Sequence, residues 1–559
     1  MKLTACALAI AAAACGGSSA TPPDSAAPDG ASLGCDPAAP GGTLHGQILP
    51  AGDGSEDRTY WLHVPPGYVC GTPSPLLVDF HGTASDVPEE AYQTDALIAF
   101  ADAHGVIVAR PRSRSSLEGG SQIYRWDQNA GDLPRNVRFA DNLVAALERT
   151  YDIDRSRVYA SGFSSGSNMA AQFLTDAASP FLGLAPIAGG HWGDTALPAL
   201  ATGPRVYMST GYRDYLWPTA RDLVTDLATA GLPADHLFVS HTGGGHDLYP
   251  WHFDELWQFL DGKAAPDGGT VAAPWHVEPL PAPADVNAFA LDGATLVAAG
   301  AQGRTWRRGA TGWAGDLDRG PTADFTALCY GAAHAIVGGD YVAAVGTAGT
   351  WAPSGGLPDF GMLGAGWANR ADCRDDGSFV VVGYWSSLVS TDGVTWTAFH
   401  APTTFGLDAQ LAGVASAPGG ATIVAGYYDY LARAPHGTAA AVEVAHPAVG
   451  EWWNAVAATA GGHFWVVGDD GGILASTDDG QTWVAQASGT TENLYAVHFA
   501  DAQHGAAVGR RGTVVVTADG GAHWTPRALG RDAYVGAVLV TATDIWIGGA
   551  GGLVASSPL

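Results

Sequence analysis

The stretch GFSSG, residues 162–166, holds a serine between glycines at a spacing that serves nucleophilic chemistry. Its central residue is Ser164. A serine hydroxyl is a weak nucleophile at neutral pH; it needs a base, and the base needs an acid to orient it. Both follow in the chain: Asp214 in GYRDYLWP, residues 211–218, and His246 in GGGHDLYP, residues 243–250. His241 and His252 stand nearby as alternative bases. The order serine, acid, histidine belongs to a nucleophile carried on a strand-to-helix elbow. Attack on a carbonyl also makes an oxyanion, which backbone N–H groups must hold. Ser165 offers one donor, and Thr83, in FHGT at residues 80–83, offers the other. His81 shapes that loop, and His81 and Trp126 are candidate pocket residues. The chemistry is acyl transfer, and it calls for no metal or organic cofactor.

The elements around these residues suit that chemistry. VYAS, residues 158–161, reads as a strand, and SNMAAQFL, residues 167–174, as the helix after it. Other short apolar runs include LLVDF (76–80), VYMST (206–210) and HLFV (236–239), with helical patterns between them, as at residues 136–151 and 220–230. Strands alternating with helices predict a mostly parallel sheet covered by helices on both faces. Asp214 and His246 then follow strand ends, where such sheets bind ligands.

Past residue 262 the composition changes. DGKAAPDGGTVAAP and PLPAPAD read as a linker over residues 263–285. Beyond it, short apolar strands end in glycine at Gly300, Gly338, Gly383, Gly426, Gly468, Gly509 and Gly548. The period, about 40 residues, is that of a four-stranded propeller blade. Seven anchors predict seven blades over residues 286–559. The last lacks an outer strand, which residues 275–280 could supply to close the ring. Three repeats carry an aspartate turn before tryptophan: STDDGQTW (476–483), TADGGAHW (517–524) and the shorter STDGVTW (390–396). Tyr384, Tyr427, Tyr428 and Tyr430 are candidates for a carbohydrate-binding surface, although ordinary packing accounts for them better.

The chain of 559 residues has a formal net charge of −29, which repels phosphate backbones and argues against nucleic acid as a partner. Charged residues make up 14% and hydrophobic ones 47%, so the chain can bury large cores. Residues 1–15 read as an export signal: Lys2, an apolar run too short to span a bilayer, then AAAC. That ending resembles a bacterial lipobox with Cys15 as the lipidated residue. Residues 16–34 are then a flexible spacer, and the lipid anchor is the only membrane contact. The expected location is the bacterial cell envelope (the outer membrane in a Gram-negative host), or the medium if the leader is simply removed. Cys35, Cys70, Cys329 and Cys373 fall into two separated pairs, which in an exported protein favours disulfides.

Residues 35–262 resemble the polyhydroxybutyrate depolymerase and feruloyl esterase group of α/β-hydrolases. The resemblance rests on LLVDFHGTASD, DIDRSRVYASGFSSGSNMA, the G-x-x-D-x-x-x-P around Asp214, and GGGHDLYP. It implies a secreted serine esterase acting on feruloyl or acetyl esters of plant polysaccharide, or on short polyhydroxyalkanoate esters, with Ser164, His246 and Asp214 as the triad. Ser167 and Leu248-Tyr249 depart from the family pattern and are expected on the pocket wall. The aspartate turns resemble Asp boxes, the structural hairpins of sialidase-like and photosystem II assembly factor propellers. The propeller is expected to bind or space, with no ligand named by the sequence. Two alternatives stand beside the esterase: a non-enzymatic scaffold with an idle hydrolase domain, and a serine peptidase. Peptidases that join these two folds carry the propeller first, and here it comes second.

Overall fold

The alternating apolar runs of the first half form one eight-stranded sheet. In chain order its strands are β1 (Gly42–Leu49), β2 (Arg58–Val64), β3 (Ser74–Phe80), β4 (Ile107–Pro111), β5 (Ile153–Phe163), β6 (Gly183–Ile187), β7 (Arg205–Gly211) and β8 (Leu237–Thr242). Their order across the sheet is β1-β2-β4-β3-β5-β6-β7-β8. β1, β2 and β4 pair antiparallel, and every pairing from β4 to β8 is parallel. The sheet is therefore mixed. The fully buried runs of β3 and β4 are what a parallel sheet covered on both sides needs. Helices α1 (Thr94–His104) and α5 (His252–Leu260) cover one face, through a cluster holding Phe100, Phe253 and Trp257. Helices α2 (Leu133–Thr150), α3 (Ser165–Gln172) and α4 (Trp217–Thr229) cover the other, through Leu143, Met169 and Leu223. This computed structural model describes residues 35–50, 57–85, 94–118, 121–126, 133–191, 196–266, 268–320, 323–331, 335–339, 343–347, 350–353, 368–383, 387–393, 395–402, 410–450 and 452–559. The export signal, Cys15, the spacer and Tyr384 lie outside the described residues.

The second half is a propeller of four-stranded antiparallel sheets. Six blades are built from four consecutive strands each. The three strands Val535–Val540, Asp544–Gly549 and Leu553–Pro558 do not complete a blade alone. They become a four-stranded sheet by pairing with His276–Val277, where His276 faces Ser556 and Val277 faces Ala555. That pairing ties the two ends of the propeller together. The first strands of successive sheets neighbour one another in a closed ring.

The Asp boxes are turn devices. Asp478 Oδ1 accepts from the backbone N–H of Gln481 at 3.1 Å and Thr482 at 2.9 Å, while Ser476 Oγ accepts from the Gly480 N–H at 3.0 Å. The Thr482 hydroxyl, donating to Asp478 Oδ2 at 2.6 Å, and then the backbone N–H groups hold the Asp478 carboxyl down at about 2. The turn at Asp519 repeats the pattern, and Asp392 retains its core. Trp483, after the turn, is buried with Ile423 and Leu431 of the preceding sheet. Cys35 is bonded to Cys70, and Cys329 to Cys373; the second disulfide joins the first strands of adjacent sheets.

The first half docks on the propeller face where the first strands begin and the second strands end. Trp217 donates from Nε1 to Asp324 Oδ2 at 2.6 Å, and the Tyr212 hydroxyl donates to Asp285 Oδ2 at 2.6 Å. The Arg510 guanidinium pairs with Glu255 and lies 3.7 Å over the Trp251 ring. Asp469 is buried at this junction, accepting from Asn454 Nδ2 at 2.8 Å; burial first, then the nearby Asp247, push its carboxyl up to about 7. The unfolded chain ionises this group near 3.8. Its folded pKa is raised, so its stabilising contribution is complete below pH 4 and is lost as pH rises through 7. Thermal melts from pH 4 to 8 should show the wild type losing about 4 kcal/mol relative to Asp469→Asn, whose side chain does not titrate.

Candidate active site

β5 runs into α3 through a single residue, Ser164, whose backbone sits at φ 56°, ψ −117°. This is left-handed territory that a non-glycine residue occupies only under constraint. The constraint is visible: the Ser164 N–H donates to Ile187 O on β6 at 3.0 Å. The flanking glycines are required by crowding. A Cβ on Gly162 would lie 2.2 Å from the Gly166 carbonyl oxygen, and one on Gly166 would lie 1.9 Å from the Phe80 carbonyl oxygen. Both clashes are with backbone, which cannot swing aside. Gly166→Ala should destabilise by about 3 kcal/mol or more, read as a lowered denaturation midpoint.

The structure brings Ser164, His246 and Asp214 together from three strand ends. His246 Nε2 stands 2.8 Å from Ser164 Oγ, and His246 Nδ1 stands 3.0 and 3.1 Å from the two Asp214 oxygens. A carboxylate can only accept, so Nδ1 carries the proton and Nε2 is left to accept from the serine hydroxyl. Asp214 is fully buried, and its Oδ1 also accepts from the Leu216 N–H at 2.8 Å. His246 is held between two rings, Phe163 at 4.9 Å and Tyr215 at 4.5 Å. Burial, then the neighbouring Asp214, push the Tyr215 phenol up to about 12, so it stays protonated beside Ser164. His241 and His252 are engaged elsewhere, His241 with Asp285 at 3.2 Å and His252 with Ser209 Oγ at 2.7 Å.

The loop after β3 passes directly beside the elbow. A Cβ on Gly82 would lie 3.3 Å from Ser164 Cβ. Thr83 is exposed at this loop, and Ser165 opens α3. His81 and Trp126 are both buried beneath the loop. Trp126 Nε1 donates to the His81 carbonyl at 3.1 Å, and the Ser113 N–H donates to His81 Nε2 at 3.0 Å. The His81 Nδ1–H therefore faces the Gly82 carbonyl, 2.5 Å away. Burial pulls the His81 imidazole down to about 4, which keeps it neutral and this tautomer in place.

The residues that depart from the family pattern are buried. Ser167 is fully buried and donates to the Ser164 carbonyl at 2.6 Å, bracing the elbow. Leu248 and Tyr249 are buried, and the Tyr249 hydroxyl fills the space where a Gly244 Cβ would go, at 2.3 Å. Of the tyrosines considered for carbohydrate, Tyr427 and Tyr430 are buried and Tyr428 is exposed.

Several residues around the site carried no role in the sequence analysis. Asp79 and Arg110 form a buried ion pair at 2.7 Å between β3 and β4, and Ser161 Oγ on β5 donates to Asp79 at 2.6 Å. A charged residue inside the apolar run LLVDF was the available signal. Arg213 and Tyr495 gave none, since their neighbours are set by how the two halves meet.

Residues 487–557 match the family described as Photosynthesis system II assembly factor YCF48. The chain is 30% identical over 149 residues to poly(3-hydroxyalkanoate) depolymerase C of Paucimonas lemoignei, covering 26% of this chain and 34% of that protein. It is 28% identical over 116 residues to a bifunctional acetylxylan esterase/xylanase of Neocallimastix patriciarum, covering 21% of this chain and 16% of that one. It thus spans about a third of the first relative's length and a sixth of the second's. Among solved structures, YCF48 from Cyanidioschyzon merolae aligns with TM-score 0.42 and 16% identity, over 51% of this chain and 98% of that one. The chain joins a part similar to esterases and polyhydroxyalkanoate depolymerases to a C-terminal propeller.

Proposed function

We propose that the chain is an exported serine carboxylic-ester hydrolase, with an α/β-hydrolase domain at residues 35–262 and a propeller at residues 286–559. The observation that carries this reading is the unbroken hydrogen-bond line from Ser164 through His246 to a fully buried Asp214, with the serine on a strained elbow. The sheet order and the helices on both its faces support the fold assignment. The similarity to a polyhydroxyalkanoate depolymerase and an acetylxylan esterase supports ester chemistry.

In this reading His246 Nε2 takes the Ser164 proton as Oγ attacks the ester carbonyl, and Asp214 stabilises the imidazolium that forms. The N–H groups of Ser165 and Thr83 hold the oxyanion; one such donor contributes about 10²–10³-fold in rate. The imidazolium then protonates the leaving alcohol, and His246 activates a water that cleaves the acyl-serine. The substrates are feruloyl or acetyl esters of plant polysaccharide, or short polyhydroxyalkanoate esters. Two disulfides support an oxidising compartment, and Cys15 is the proposed lipid anchor.

The test is hydrolysis of p-nitrophenyl acetate and butyrate, methyl ferulate, acetylated xylan and a hydroxybutyrate oligomer by the mature protein beside Ser164→Ala. Cleavage of one or more esters by the wild type alone supports the triad, and the preferred ester selects the substrate class. Equal rates for the two proteins would end the reading.

A further inference from the structure

Two loops carry the partners of Ser164. One follows β7 and holds Asp214; the other follows β8 and holds His246. Both lie against the propeller, and in each the contact falls within one residue of the catalytic side chain.

Arg213 precedes Asp214 and points the other way. Its guanidinium is buried in the propeller face, donating from Nη1 to the Asn454 carbonyl at 2.6 Å and from Nη2 to the Tyr495 carbonyl at 3.2 Å. Those carbonyls belong to the first strands of two adjacent sheets, Trp453–Thr459 and Leu494–Phe499. Tyr212, one residue earlier, is bonded to Asp285 where the propeller begins. The acid loop is thus pinned by the propeller at two successive residues.

The histidine loop is pinned by shape. Gly243, Gly244 and Gly245 have no positive φ among them, so conformational freedom does not explain them. Close approach does. A Cβ on Gly243 would lie 2.2 Å from the Tyr495 ring, and one on Gly245 would lie 2.1 Å from the Tyr427 hydroxyl oxygen and 2.4 Å from its ring. Both tyrosines come from the propeller, and both are buried. Two of the three glycines before His246 therefore leave the room in which propeller rings pack on that loop.

We propose that the propeller is a structural part of the catalytic centre: Tyr427, Tyr495 and the carbonyls that bind Arg213 hold the Asp214 and His246 loops in the register that completes the triad. These are positioning residues, since none touches the reacting atoms. The inference rests on the esterase reading for its kinetic consequence, and on the interface alone for its structural one. It replaces the picture of the propeller as a detachable binding or spacing module.

A double-mutant cycle on the full-length protein tests it. Gly245→Ala should lower kcat by about 100-fold with KM changed less than about threefold, because a displacement near 1 Å at a catalytic group costs that much. Tyr427→Ala should lower kcat by about 10-fold through a loosened loop. The double variant should be no slower than Tyr427→Ala alone, since the added methyl then has no ring to meet. Amide exchange over residues 211–216 and 243–249 should quicken in both single variants while the Asp-box turns stay unchanged. Additive kcat losses, or single variants with wild-type kcat and wild-type exchange, overturn the proposal and leave the triad standing. If the wild type cleaves no ester, the esterase reading fails separately, and the exchange pattern alone decides whether the propeller holds these loops.

Discussion

Ser164→Ala should lower kcat for any ester the wild type cleaves by about 10⁶-fold, with the melting temperature unchanged. The hydroxyl is the only atom removed, and its recorded partner at 2.8 Å is His246 Nε2. The backbone bonds that shape the elbow, from the Ser164 N–H to Ile187 and from Ser167 to the Ser164 carbonyl, stay in place. The oxyanion donors also stay, so the residual rate over water should be about 10³-fold, which is what an oxyanion site and binding supply without a nucleophile. Ser164→Gly gives the control. It is equally inactive, but it relieves a φ of 56° and should be more stable than the alanine variant by about 1 kcal/mol. Activity measured beside thermal melts of the three proteins separates the chemical role of this residue from its strain.

The parts of this site that can be read from the chain are those whose physics is local or periodic. A serine between two glycines after an apolar strand declares an elbow, because only that turn needs both glycines. The Asp box declares itself because all its bonds close within eight residues, from Ser476 to Trp483. What escapes the sequence is contact between distant segments. Gly243 and Gly245 look like a flexible loop, yet neither has a positive φ and both are crowded by tyrosines some 250 and 180 residues further on, beyond the reach of any local rule. Ser167 and Tyr249 show in the sequence only as departures from the family pattern, whereas the structure shows them bracing Ser164 and Gly244. Glycine anchors mark each repeat alike, whereas only pairing with His276–Val277 makes the last three strands a full sheet.

Asp79→Ala should destabilise the protein by about 3–5 kcal/mol, the largest stability loss expected here, because it strands a buried guanidinium. Arg110 is 2% exposed and Asp79 4%, with the two heads 2.7 Å apart. No water can reach the orphaned charge without opening the sheet between β3 and β4. The pair also sits under the site. Asp79 lies two residues before His81, and its other oxygen accepts from Ser161, three residues before Ser164. One carboxylate therefore ties the strand that leads into the Gly82–Thr83 loop to the strand that leads into Ser164. These two roles separate in a second variant. Asp79→Leu with Arg110→Met removes both charges together and fills the volume, so most of the stability should return, as buried ion pairs replaced by apolar groups commonly allow. The Ser161 hydroxyl then loses its acceptor, and the link between the two loops goes with it. Chemical denaturation should place the double variant near the wild type, while its kcat should stay lower by about 10-fold or more. Full recovery of kcat would mean that Asp79 serves only to neutralise Arg110. A persistent deficit in a stable protein would mean that the carboxylate sets the distance between the oxyanion donors and Ser164.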